Sequence, residues 1–248
     1  MAGSDLIGDR RQKIYRGAYS YLRNGKPYCE ETFDVFRDHK EMTVDFNAQL
    51  FSRVPTGELM RIKLEYRVDN KYNPVSVSIE KSLGSELSKE TYECTSRTNI
   101  MIYKFTNNVG NVTEYKMNTP PKFHITTPFA CTSCLFLLSK KIEGLGKSFF
   151  TVIGNYNRWR YSTDLHSTSI LAQKLKLEEN ESLVIGGKKL ISELFHICED
   201  DMNRSGDTYL SLPFIRAYIS QHMSIPYMLV EESTKTTIQV KYFNSFET

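Results

Sequence analysis

Cys131 and Cys134 form a Cys-x-x-Cys at the head of an apolar run, PFACTSCLFLL (128–138). In a thioredoxin-like βαβ unit that spacing opens a helix and lowers the pKa of the first thiol. No second Cys-x-x-Cys completes a four-ligand zinc site, and the flanking pattern is antiparallel β. Both cysteines therefore read as small apolar fillers, with a thiol redox pair as the alternative. The five histidines, His39, His124, His166, His196 and His222, show no HxH or HxxxH spacing, so no metal site is expected. His124 and His196 fall inside candidate strands, where a ring turned into a cavity would act as acid or base near neutral pH. The plainer reading is a hydrogen-bonded strand histidine. Asp164 and His166, in TDLHSTS (163–169), share a face if that stretch is a strand, but its composition reads as a solvated loop. In Asn157–Tyr161, an inward Trp159 sends Arg158 and Arg160 outward; the reverse would hold an anionic headgroup inside. Glu31 shares parity with Phe33 and Val35, which aims it at a dry face, or at an open rim beside Arg23 or Arg37. A carboxyl in an apolar cavity has a raised pKa and can serve as an acid.

The elements that must position these residues are strands. Asn24-Gly25 in YLRNGKPYCEETFDVF (21–36) is the pair a two-residue type I′ hairpin requires, because both central residues take positive φ. Beyond it, Met42, Val44, Phe46, Ala48 and Leu50 alternate with polar residues. Met60, Ile62, Leu64, Tyr66 and Val68 do the same, and so do Val75, Val77 and Ile79. Each segment thus has one wet and one dry face, as in an antiparallel meander. The pattern continues through Tyr92, Cys94, Met101, Tyr103, Phe105, Tyr115, Met117, Phe123 and Ile125. A short buried helix is expected at about 130–142, ending at Gly144 and Gly146. Strands follow at 148–153 and 156–161, and 162–181 is polar and ambiguous. A hairpin around Gly186-Gly187 occupies 182–197, and strands at 208–219, 226–232 and 236–243 close the chain. The expected fold is all-β: a single domain over 1–248, with 1–16 extended or disordered. Its single large curved antiparallel sheet forms an incomplete barrel or two layers, with one or two short helices.

The totals exclude several classes. Acids and bases are mixed along the chain and the net charge is +3, which argues against a nucleic-acid surface. No run of eighteen apolar residues exists, so no transmembrane segment is expected. There is no GxSxG and no Gly-rich phosphate loop, and nothing calls for a cofactor. Residues 1–17 lack a basic-then-apolar leader. The chain is expected in the cytoplasm if that start is native, and in the periplasm if a leader has been removed.

The order of YSYLRNGKPYCEETFDV, YRVDNKYNPVSVSIE, LVIGGKKLISELFHI and the closing DTYLSLPFIRAYISQHMSIPYMLVEESTKTTIQVKYF resembles a family of bacterial, often exported, proteins of uncharacterised function. Their long antiparallel sheet curls into an incomplete barrel, similar to periplasmic lipoprotein and lipid carriers. The resemblance implies a half-barrel with an apolar interior suited to acyl or isoprenoid chains. The expected function is binding of an elongated hydrophobic small molecule. Phe33, Val35, Phe46 and Met60 would line its cleft, with Ile62, Leu64, Tyr66 and Tyr103, and with Trp159 and Arg158 also in contact. The alternative is a cofactor-independent hydratase, lyase, isomerase or cyclase in the same cavity. Glu31, His124 and His196 would carry the chemistry, with Asp34 and Tyr66 behind them.

Overall fold

Asn24 and Gly25 both take positive φ, 50° and 74°, and turn β1 (Gln12–Arg23) into β2 (Lys26–Asp38) as a two-residue hairpin. This is seen in a computed structural model that describes residues 11–95, 98–155, 165–177, 183–185, 187–200, 214–220 and 223–247. The meander continues through β3 (Thr43–Arg53), β4 (Leu59–Asp69), β5 (Pro74–Leu83), β6 (Glu86–Thr95), β7 (Ile100–Thr106) and β8 (Val112–Asn118). The chain then crosses the interior as residues 119–146, which hold the two-residue β9 (His124–Ile125) and two 3₁₀ turns, Ala130–Thr132 and Leu135–Ser139. It re-emerges as β10 (Lys147–Gly154) and β11 (His166–Leu175). A small ribbon, β12 (Val184–Ile185) with β13 (Lys188–Lys189), precedes β14 (Ser192–Glu199), β15 (Ile215–Ser220), β16 (Pro226–Glu231) and β17 (Thr236–Ser245).

Apart from the ribbon, all these strands form one sheet of fifteen, in the order β8-β7-β6-β5-β4-β3-β2-β1-β17-β16-β15-β14-β11-β10-β9. β1 joins the two halves by pairing with β2 on one side and β17 on the other. A twisted sheet of this length must curl, and its two ends do not meet edge to edge. The β9 end is instead tucked under the concave face of the first half. β9 packs on β5, the Ile125 amide donates to the Tyr66 hydroxyl at 3.1 Å, and Asn155, just past β10, donates to the Tyr103 hydroxyl at 2.8 Å. The sheet is a scroll, open as a barrel but closed as a core.

One row of directly opposed residues crosses the concave face from β1 to β8: Tyr15, Val35, Phe46, Tyr66, Val77, Tyr92, Tyr103 and Tyr115. Opposed side chains on one face are the unit of sheet stabilisation. From Tyr15 to Tyr103 they continue into a single core with Ile125, Phe129, Cys131, Leu135 and Phe136 of the crossing segment, whereas Tyr115, on β8 at the edge, is exposed. The curved all-β fold is as expected from the alternation.

Several details differ. β9 runs parallel to β10, so the sheet is mixed. No helix spans 130–142: the Ser133 and Ser139 hydroxyls bond the carbonyls three residues back, Ala130 at 2.8 Å and Phe136 at 2.7 Å. Local bonds of this kind compete with a regular helix, and the segment breaks into two 3₁₀ turns. Within 162–181, polar and ambiguous in sequence, residues 166–175 are β11, enclosed between β10 and β14, so 166–169 are strand where 163–169 reads as a solvated loop. Within the expected 1–16 tail, residues 12–16 already belong to β1. The strand expected at 156–161 and the first part of the one at 208–219 lie outside the described residues. Among the described residues no helix is long and apolar enough to cross a membrane.

Gly17 sits where β1, β2 and β17 meet. A Cβ there would overlap the Phe33 ring and approach the Tyr242 carbonyl to 3.0 Å. That ring cannot retreat, being stacked on Tyr19 at 5.4 Å and set against Phe243 at 6.3 Å. Gly17→Ala is expected to destabilise the fold by about 1–3 kcal/mol through overpacking. Urea unfolding with an unchanged m-value would check it.

Candidate functional site

Three charged residues occupy inward positions of the alternation and are almost fully buried: Glu31, Lys81 and Glu90. Glu31, on β2, meets the first 3₁₀ turn. Its carboxylate accepts the Ala130 amide at 2.8 Å, the Cys131 amide at 3.0 Å and the Tyr21 hydroxyl. The Tyr21 oxygen also accepts from Ala130. Burial pushes the Glu31 carboxyl up, against the opposing pull of the tyrosine and the two amides, and the net shift is upward. The same environment suppresses thiol chemistry. Burial, reinforced by the Glu31 charge, raises Cys131 well above its ordinary value, and burial pushes Cys134 up to about 12. Reactive thiols need the opposite surroundings.

Lys81 and Glu90 form an ion pair across β5 and β6, both side chains at most 3% exposed. The other Glu90 oxygen accepts the Tyr92 hydroxyl at 3.0 Å. Burial, followed by the Glu90 charge, pushes Tyr92 up. The Tyr92 and Tyr103 rings lie 5.0 Å apart, and Asn155 joins them through its bond to Tyr103. A cavity of about 100 Å³ opens beside this group, lined by Ile79, Lys81, Glu90, Tyr92, Thr126, Thr127, Pro128 and Asn155.

A larger cleft, about 310 Å³, lies at the other end of the crossing segment. Leu137, Leu138 and Ile142 form one wall, and Phe195 of β14 and Ile219 of β15 the other. Its polar lining comprises Lys141, Lys174, Glu193, Ser220 and Ser224, with Lys174 donating to Glu193 at 2.6 Å. Two broader troughs of about 470 and 370 Å³ run over the wet face of β1–β6. Short polar residues such as Thr32, Asn47, Ser76 and Ser78 floor them. Several of their charges are already paired, Arg16 with Asp34 at 2.8 Å and Arg67 with Asp45 at 2.6 Å.

The expected lining residues Phe33, Val35, Phe46, Ile62, Leu64, Tyr66 and Tyr103 all point inward and are buried, and Met60 is half-buried against them. What they enclose is largely the chain's own segment 119–146, so their apolar face meets protein. Trp159, Arg158 and Asp164 lie outside the described residues. The three expected catalytic residues sit on three strands, Glu31 on β2, His124 on β9 and His196 on β14. Glu31 bonds to neither histidine. His196 sits on β14 with its ring stacked on Phe214 at 4.2 Å. His124, on β9, is buried with both ring nitrogens lacking a hydrogen-bond partner among the described residues, and burial lowers its pKa to about 4. A base that weak does not take protons efficiently at neutral pH. Asp34 faces outward to Arg16 and Lys13. Lys81 and Glu90 escaped the sequence reading, although the parity that singles out Glu31 also singles them out: Lys81 follows Val77 and Ile79, and Glu90 precedes Tyr92.

No family model matches the sequence, and no curated protein matches it. Among solved structures, a β-barrel-like protein of the domain of unknown function DUF1849 from Brucella abortus is similar in fold, with a TM-score of 0.56 at 10% identity over 96% of this chain and 100% of that one. A DUF1089 family protein from Pseudomonas aeruginosa gives a TM-score of 0.45 at 7% identity, over 92% of this chain and 95% of its own. The likeness to the first is one of fold: a β-barrel-like architecture whose function is unknown.

Glu31 bears directly on the crossing segment. Glu31→Ala strands two buried amides and a hydroxyl, and is expected to cost about 2–4 kcal/mol. Hydrogen exchange at Ala130 and Cys131 should accelerate more than exchange in β4. His124 sets an acid limit. Its folded pKa is about 4 and its unfolded pKa about 6.5. Between those values the unfolded chain binds a proton that the folded chain does not, so stability falls as pH drops through that window. The loss approaches about 3 kcal/mol. His124→Leu should flatten that part of the stability–pH curve relative to the parent, measured by denaturant titration at pH 7, 5.5 and 4.

Proposed function

We propose that the protein binds a small amphipathic molecule, an apolar body with an anionic end, in the cleft between the second 3₁₀ turn and strands β11, β14 and β15. One observation carries this reading. The crossing segment fills the scroll tightly at Phe129, Cys131 and Leu135, which are buried, but leaves Leu137 and Leu138 only half-covered over a space of about 310 Å³. That volume is at the small end of ligand pockets, which are commonly apolar with a few placed polar groups. Leu137, Leu138, Ile142, Phe195 and Ile219 supply the apolar part. Lys141 and Lys174 supply the positive charge, with the Ser220 and Ser224 hydroxyls beside them. An incoming carboxylate or phosphate competes with Glu193 for Lys174, and charge-assisted bonds of this kind fix orientation. The size favours a short chain over the long acyl or isoprenoid chains suggested by an empty half-barrel.

Native mass spectrometry with decanoic acid as probe tests the reading. One equivalent is expected to bind. Leu138→Trp should abolish uptake while leaving the unfolding midpoint near that of the parent, since Leu138 is half-exposed. Lys174→Ala should weaken binding about tenfold, the worth of one charge-assisted hydrogen bond. No uptake by the parent protein, or undiminished uptake by Leu138→Trp, would count against the assignment.

A further inference from the structure

We propose that Lys81 is an amine nucleophile that forms an imine with a small aldehyde or ketone held in the cavity of about 100 Å³ beside it. This site is separate from the amphipath cleft and stands or falls independently of it. An ion pair buried as deeply as Lys81–Glu90 is weak evidence for stability, because the desolvation of both ions offsets their attraction. Apolar residues of similar volume, such as those flanking it at Ile79 and Ile62, would fill the same inward positions. The pair also borders a void rather than close packing.

The groups around the amine suit carbonyl addition. Glu90 is in direct contact with the Lys81 Nζ, and moving a proton along that bond converts the ion pair into a neutral amine and a carboxylic acid with no change in net charge. The neutral amine attacks the carbonyl carbon, forming a C–N bond and a carbinolamine. Glu90 then protonates the departing hydroxyl, water leaves, and the resulting iminium is again balanced by the Glu90 carboxylate. Overall, Lys–NH₃⁺ and R–CHO give Lys–NH⁺=CHR and one water, with no oxidant or reductant involved. Tyr92, bonded to the second Glu90 oxygen at 3.0 Å, holds the carboxylate in place. A further polar group stands close by. Ser88 is directly opposite Lys81 in the β5–β6 register, on the same inward face, and its buried hydroxyl has no hydrogen-bond partner among the described residues. Opposed side chains lie within reach of one another, and an unpaired buried hydroxyl is costly without a ligand or water. The void equals about three waters' share of liquid volume, which limits the substrate to a few heavy atoms. Ile79 and Pro128 offer its alkyl part an apolar wall, and Thr126, Thr127 and Asn155 offer it polar groups.

Borohydride trapping with acetaldehyde tests the assignment. Intact protein is treated with a low concentration of acetaldehyde and cyanoborohydride, digested, and mapped for N-ethyl lysine. Lys81 is expected to be ethylated at least about a hundredfold faster than Lys63 and Lys116, a general-acid contribution at the low end. Glu90→Gln should remove that advantage while leaving labelling of Lys63 and Lys116 unchanged. If the variant fails to fold, the concentration dependence of labelling in the parent protein serves instead: Lys81 labelling should level off as acetaldehyde rises, because a cavity fills, where that of Lys63 and Lys116 stays proportional to it. Labelling of Lys81 no faster than of Lys63 and Lys116, or proportional to acetaldehyde as theirs is, overturns the proposal.

Discussion

The segment that fills the scroll carries backbone amides that no strand is placed to pair. Buried N–H groups must find acceptors, and from Thr119 to Gly146 few come from a β-ladder. The concave face supplies them instead. Tyr66 accepts from Ile125, and Glu31 with Tyr21 accepts from Ala130 and Cys131. Within the segment, Thr127 accepts from Phe129. These bonds fix the filler's position along the axis of the roll. The roll in turn can remain open as a sheet because its interior is occupied: an empty half-barrel of this span would expose the whole row from Tyr15 to Tyr103 to water, against the hydrophobic driving force.

Two kinds of buried charge therefore coexist with different physical reasons. Glu31 answers to neutral donors that already exist, so its charge is spent on positioning backbone. Lys81 and Glu90 answer to each other, and Glu90 also to Tyr92. Desolvation of both ions offsets much of their attraction, so such a pair adds little to stability by itself.

The sequence made the first half legible because strand alternation is a property of single residues and survives any tertiary arrangement. Phe46, Tyr66, Tyr92 and Tyr103 could be placed on one face without knowing what lay opposite. The crossing segment was not legible. Its residues are apolar on most sides, which fits a buried helix as well as a buried irregular chain. Only the Ser133 and Ser139 bonds to Ala130 and Phe136 decide between them. β11 was hidden for a different reason: HSTS looks like loop because the first residues of the strand are exposed or half-exposed, and the dry positions Leu171 and Ala172 come late. Glu31 was found by asking which charged residue sits on a dry parity. The same question put to β5 and β6 yields Lys81 and Glu90, so that part of the site was present in the pattern. The cavities were not, because a void is a property of how side chains from distant strands fail to meet.

The placement of the two voids follows from where the filler is held. Glu31 and Tyr21 grip it at Ala130 and Cys131. The polar cavity lies just before that grip, at Thr126–Pro128, and the larger cleft just after it, at Leu137–Ile142. Chain clamped at its middle packs most closely there, and its ends must accommodate whatever width the roll happens to have. On the β5–β6 side the roll presents a charged pair, so the gap is polar. On the β14–β15 side it presents Phe195 and Ile219, so the gap is apolar with lysines at its margin. The single carboxylate at Glu31 thus bears, through the segment it anchors, on why the interior keeps two small voids of opposite character rather than one large apolar hollow.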